Sequence, residues 1–114
     1  MSKNYYGLAK ELPKKDKRQK KWTEQRRKYG FDDTETWALD FTIAKFIVPR
    51  LKKFKEIKNG FPLGMSLEAW DKILDKMILA FELKTKTTVL STTEWKKINA
   101  GLKLFAKYFN CLWW

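Results

Sequence analysis

The chain has 114 residues, with 25 Lys and Arg against 13 Asp and Glu, one cysteine and no histidine. At 44% hydrophobic and 16% aromatic residues it has the apolar supply of one folded domain, which a disordered chain lacks. The lone Cys111 rules out an internal disulfide and a cysteine metal site, and the missing histidine removes Ser–His–Asp, Cys–His and imidazole–metal chemistry. Carboxylate chemistry stays open by composition, but without the commonest general acid and base a non-enzymatic protein is expected, with no cofactor. The N-terminus lacks the apolar run of a secretion signal, and no apolar span reaches membrane length; a soluble, intracellular protein in a reducing cytosol is expected.

Eleven cations but only three acids fall in residues 1–30, so about two-thirds of the net charge of +12 lies in a quarter of the chain. Residues 1–28 are expected to form a basic N-terminal arm, and residues 29–114 a helical domain. Within the arm, KKDKRQKKWTEQRRKY (14–29) has helical composition and Gly30 as a C-cap. Trp22 and Tyr29 are its large apolar residues, too few to hold its whole length. A frayed or disordered stretch to about Lys20, then a docked turn at Trp22, is the expectation. The second helix, DDTETWALDFTIAKFIVPRLKKFKEIKNG, starts at an Asp32/Glu35 capping box and ends at Asn59-Gly60. Trp37, Phe41, Ala44, Ile47, Val48, Leu51 and Phe54 make a wide apolar face. Thr42, Lys45, Lys52 and Lys53 mark its solvent strip, and Pro49 is placed to kink it.

A third helix runs from Leu67, N-capped by Ser66, to about Leu83, with Trp70, Ile73, Leu74, Met77, Ile78 and Phe81 at helical spacing. Asp71, Asp75 and Glu82 form an acidic strip opposite, suited to a solvated face paired with Lys72 and Lys76. The fourth runs from Thr93 or Glu94 to the C-terminus, with Trp95, Ile98, Leu102, Phe105, Phe109 and Leu112 as its stripe. The Thr-rich stretch between them, 85–93, reads as extended or loop. Sustained helical periods without strand alternation predict an all-α fold: a small bundle of three main helices with a basic, partly flexible helical arm.

Asp40 falls at the middle of the second helix's apolar face, where a carboxylate needs a partner. A core ion pair is the ordinary use of such a residue, and lining a pocket beside Trp37 is the functional one. Arg50, Lys52 and Lys53, followed by Lys55 and Lys58, suit the helix C-terminus. If they share a side with the arm and with Lys96, Lys97, Lys103 and Lys107, they also make a phosphate-binding surface. The candidate ligand-binding set is therefore Arg26, Arg27, Trp37, Asp40, Arg50, Lys52 and Lys53. Tyr5, Tyr6, Trp22, Tyr29, Phe31, Tyr108, Trp113 and Trp114 lie outside the best stripes. Rings so placed beside cations stack nucleobases or form contacts between copies. For Trp113 and Trp114, packing or self-association is favoured. No metal site is expected: spacing of i, i+4 in the acidic strip is weak evidence for Mg²⁺. Glycines fit no phosphate-loop pattern.

Three segments, YGFDDTETWALDFTIAKFIVPRLKKFKE, GFPLGMSLEAWDKILDKMILAFEL and NAGLKLFAKYFNCLW, together resemble a family of small uncharacterised bacteriophage and prophage proteins over about residues 29 to 113. The resemblance implies a viral accessory protein in the cytoplasm of a bacterial host, and supplies no catalytic residues. The expectation that follows is a counter-defence protein that blocks an anionic site on a host immune component or sequesters a nucleotide signal. The alternatives are a nucleic-acid-binding accessory protein and an assembly protein acting by oligomerisation.

Overall fold

The structure, a computed structural model, describes Asn4 and residues 6–113. Tyr5 and Trp114, among the aromatics singled out above, lie outside the described residues. Every regular element among the described residues is helical: α1 (Gln19–Tyr29), a short 3₁₀ turn (Asp33–Thr36), α2 (Leu39–Ile57), α3 (Leu67–Lys84), α4 (Thr92–Tyr108) and a closing 3₁₀ turn (Phe109–Cys111). The all-α expectation holds, with α2, α3 and α4 as the main helices. No helix is long and apolar enough to cross a membrane. Two compact units divide the chain, Met1–Phe46 and Ile47–Trp114. The sequence suggested a line between 28 and 29; the division into compact units falls between Phe46 and Ile47, within α2.

In the first unit, α1 begins at Gln19, not at Lys14. Before it, Asp16 turns the chain, accepting from the Arg18 amide (2.9 Å) and from both Nε (3.1 Å) and Nη2 (2.9 Å) of its side chain. Gln19 Nε2 reaches back to the Leu12 carbonyl at 3.1 Å. The helix stops at Gly30, whose φ of 82° is left-handed and whose amide returns to the Arg26 carbonyl; glycine takes that conformation without a Cβ clash. Trp22 is buried, as its position predicted. The Asp32/Glu35 capping box is present, but it opens the 3₁₀ turn and not α2 itself.

A break at Trp37-Ala38 separates that turn from α2. Across it the Thr42 hydroxyl donates to the Glu35 carbonyl at 2.7 Å, which explains why Thr42, expected in water, is buried. Beyond the break the expected face holds: Ala44 and Leu51 are buried, and Phe41, Ile47, Val48 and Phe54 are half-buried. Trp37, expected in the core, is 51% exposed, and Leu39, Ile43 and Phe46 are exposed as well. The N-terminal segment meets α2's first turns at Phe41, Lys45 and Phe46. Lys45 Nζ donates to the Gly7 carbonyl (3.1 Å), Lys10 Nζ sits 5.6 Å from the Phe41 ring centre, and Tyr6 meets Phe46 edge-on at 6.3 Å. α2 then runs through Pro49 to Ile57.

The second unit is built on the α3–α4 hairpin. Ser66 caps α3 by accepting from the Ala69 amide (3.1 Å). Ser91 and Glu94 form a reciprocal capping box on α4, with bonds of 3.1 and 3.0 Å. Trp70, Leu74, Met77, Ile78, Ala80 and Phe81 of α3 are buried, with Ile98 and Gly101 of α4. Phe81 and Phe105 meet edge to face at 5.0 Å, Phe105 and Phe109 at 5.5 Å, and Trp70 and Tyr108 at 5.6 Å, each arrangement favoured by the ring quadrupoles. Trp95, expected on the core stripe, is instead exposed under Lys84, whose Nζ lies 5.4 Å from the ring centre.

Gly101 sets how closely the hairpin closes. A Cβ there would overlap the Ala80 Cβ and stand 2.5 Å from the Lys76 carbonyl oxygen. Alanine is the better helix former by about 1 kcal/mol, yet here it collides with backbone that cannot move alone. Gly101→Ala is therefore expected to destabilise the protein by about 1–3 kcal/mol in urea unfolding. Adding Ala80→Gly should recover only part of the loss, because the Lys76 carbonyl remains.

Glu94 gives the second unit an acid-sensitive joint. Its carboxyl is pulled from 4.5 to about 2, first by its bond to Lys86 (2.5 Å) and then by the Ser91 amide. A lowered folded-state pKa stabilises at pH above the unfolded value, and that stabilisation is lost as protons bind. The contribution should be complete above about 4.5 and disappear as pH falls towards about 2. Glu94→Gln should lower the melting temperature at neutral pH and flatten its fall across that window.

Candidate functional site

The seven candidate ligand-binding residues do not form one cluster in either unit, and pairing within the protein sorts them. Arg26 turns inward. Its guanidinium binds Asp32, which is 1% exposed, and its Nη2 donates to Thr23 Oγ1 at 3.2 Å. Asp32 is the centre of a closed polar network. Its Oδ1 accepts from the Thr34 amide (2.8 Å) and hydroxyl (2.5 Å), and its own amide donates to Glu35 Oε2 (2.9 Å). Thr34 Oγ1 in turn accepts from the Lys10 amide at 2.9 Å. Gln25 Oε1, from α1, takes the Asp33 amide at 2.9 Å. The buried carboxylate predicted for Asp40 thus exists eight residues earlier, at Asp32.

Asp40 itself is exposed in the first turn of α2, where the helix dipole favours an acid. The desolvation argument for a pocket carboxylate does not apply to it. Trp37 packs edge-on against Trp22 (5.8 Å, 77°), and the Arg18 guanidinium lies 4.8 and 5.5 Å from the two ring centres. The sequence pointed to Trp37 but gave no sign of Arg18, whose closeness depends on the turn before α1.

Lys52 and Lys53 are both engaged on the surface, Lys52 with Glu82 (3.7 Å) and Lys53 with Glu56 (3.4 Å). Lys52 belongs to a ladder between α2 and α3 that continues through Lys55–Asp75 (2.7 Å) and Lys58–Asp71. The acidic strip of α3, expected in water beside Lys72 and Lys76, pairs with these lysines of α2 instead. Asp75 holds the Lys55 ammonium charged above its ordinary range. Lys58 has a side chain only 5% exposed, and its Nζ also caps the Lys55 carbonyl at 2.9 Å. Arg50 is exposed beyond this ladder. The shared basic face proposed for the end of α2 and α4 is thereby reduced, because three of its lysines face α3.

On α1 the positions away from Trp22 carry Lys20, Lys21, Arg27 and Lys28, and Lys17 lies in the turn just before the helix, all exposed. Arg27 pairs with Glu24, whose carboxyl it holds below the usual range, and Lys21 lies 3.4 Å from Asp33. Lys17 and Lys20 pair with no carboxylate among the described residues. At the end of the helix Tyr29 and Phe31 are 59% and 46% exposed, 6.2 Å apart, with Lys28 Nζ 5.2 Å from the Tyr29 ring centre. In the second unit an open groove of about 430 Å³ is lined by Phe61, Pro62, Leu63, Trp70, Cys111 and Trp113, among others. Asn59-Gly60 and Pro62-Leu63-Gly64 read from sequence as turn chemistry alone, yet all but Gly64 line this groove. No group of three or more potential metal ligands converges among the described residues. Compared with known proteins, the chain matches no family model, no curated protein and no solved structure.

The two neighbouring arginines should respond oppositely to the same change. Removing one partner of a nearly buried pair leaves the other charge uncompensated, so Arg26→Gln should cost about 3 kcal/mol in urea unfolding. Arg27→Gln, at an exposed pair, should leave the unfolding midpoint in place.

Proposed function

We propose that this protein acts by binding, and that its partner is nucleic acid met along the basic face of α1. The observation that carries this reading is the division of labour on that helix. Trp22 and Arg26 hold it to the 3₁₀ turn, which leaves Lys20, Lys21, Arg27 and Lys28 directed away from the buried side, with Lys17 exposed in the turn just before the helix. Eleven residues at 1.5 Å each make α1 about 16 Å long, enough to follow several phosphates. Neutralising a phosphate releases condensed counterions, so such a face gains affinity from salt release without any enclosed pocket. The ladder between α2 and α3 supports the choice of α1, because it already engages Lys52, Lys55 and Lys58.

A second reading places the same cations against an anionic site of a host defence component, or on a nucleotide signal, in the cytoplasm of a phage-infected bacterium. The half-exposed Trp37 ring with Arg18 over it favours this reading, since a ring and a guanidinium together suit one base and one phosphate. An assembly role through Trp113, which is exposed beside the groove of the second unit, is a third use.

Titration of labelled duplex and single-stranded oligonucleotides against salt tests the first reading. Lys17→Gln/Lys20→Gln/Lys28→Gln should reduce the slope of log affinity against log salt for duplex by roughly 2–3. The matched triple change on α4, Lys96→Gln/Lys103→Gln/Lys107→Gln, should change it far less. Equal effects from the two sets would assign binding to net charge alone. Absence of binding to either nucleic acid at low salt would turn the search to an anionic protein or nucleotide.

A further inference from the structure

We infer that the nucleic acid is single-stranded, and that its bases stack on the Tyr29–Phe31 pair at the end of α1; this rests on the binding reading above. The two rings are large, apolar and about half exposed. Their location is fixed by the backbone and not by a core. Gly30, between them, takes the left-handed conformation at φ 82°, and its amide caps the Arg26 carbonyl at 3.0 Å. On one side Arg26 is bound to Asp32; on the other, Asp32 begins the capped 3₁₀ turn. The chain thus reverses over one residue between two anchored elements, and the side chains before and after it come to 6.2 Å with a tilt of 43°. They are tilted, not stacked flat on one another, and about half of each residue's surface stays in solvent.

Chemistry at the platform matches a base with its phosphate. Lys28 Nζ lies over one face of the Tyr29 ring, 5.2 Å from its centre; a base stacking on that face would displace the ammonium, which is then free to meet the strand's phosphate. Single strands present base faces to aromatic side chains, whereas duplexes keep those faces inside the stack and show only edges in the grooves. Rings at the end of a cationic helix therefore add affinity for unpaired strands and none for duplex. Trp37 is the weaker platform, because one side already meets Trp22 and Arg18 lies over the ring. Phe41 and Phe46 are engaged by Lys10, Lys45 and Tyr6.

The test uses the full chain, an oligothymidylate and a mixed-sequence duplex at one fixed low salt, read by fluorescence anisotropy. Tyr29→Leu/Phe31→Leu keeps apolar bulk at both positions but removes the π faces. Single-strand affinity should fall roughly ten- to hundredfold, with duplex affinity and the salt slope for duplex unchanged. Tyr29→Phe/Phe31→Tyr, which keeps both rings, should bind the single strand as the parent does. An unchanged urea midpoint in each variant establishes that the fold is kept. Equal loss on both nucleic acids, no loss on the single strand, or a parent that prefers duplex would overturn the stacking platform while leaving phosphate binding by α1 in place. A parent that binds neither would remove both.

Discussion

The buried carboxylate of Asp32 is the interaction on which the first unit depends. One residue satisfies the 3₁₀ turn through its side chain and amide, neutralises Arg26 on α1, and through Thr34 reaches the amide of Lys10. Three segments, one of them 24 residues away at Lys10, are thus tied to a group that water cannot solvate. An uncompensated charge at such a place is costly, so the partners hold one another in position. The network is closed: no buried side-chain nitrogen or oxygen lacks a hydrogen-bond partner among the described residues. It decides which way α1 faces, and so which of its cations meet the solvent.

The second unit solves a different problem. Its two largest helices approach until a backbone carbonyl of α3 stands where a side chain of α4 would begin, at Gly101. Dispersion falls steeply with separation, so the close approach tightens the contacts of Met77, Ile98 and the edge-to-face rings around it. Along α2 the contact with α3 is of another kind, an ion-pair ladder at the surface. Exposed pairs contribute modestly to stability, but opposite charges in register choose one alignment of the two helices over its slipped alternatives.

Much of the fold was legible where a local signal decided it. Ser66, Gly30 and the Asp32/Glu35 box mark boundaries because capping depends on a few neighbouring residues. The stripe of α3 is faithful because one face of it is fully covered. The face of α2 was legible beyond the break: Ala44 and Leu51 are buried, Phe41, Ile47, Val48 and Phe54 half-buried, and Lys45, Lys52 and Lys53 exposed. Only its start misled. Residues 32–38 are a 3₁₀ turn and a break, not first turns of the helix, so Trp37 stands outward, Asp40 sits exposed in the true first turn, and Thr42 bonds back to the Glu35 carbonyl. Of the candidate site, the cations were visible as composition, but their partners were not. Whether an arginine is structural or available depends on an acid across space, and Arg26 and Arg27 differ only in that.

The burial of one ammonium has a consequence for the reactivity of the whole set of lysines. Lys58 has its side chain almost wholly covered, and it donates to both a carboxylate and a helix-end carbonyl. An amine so covered is out of an electrophile's reach, while the lysines of α1 stand open to solvent. Acylation would modify the surface first and leave Lys58 until the α2–α3 contact opened. The chain therefore carries, among chemically identical side chains, a reporter of its own opening.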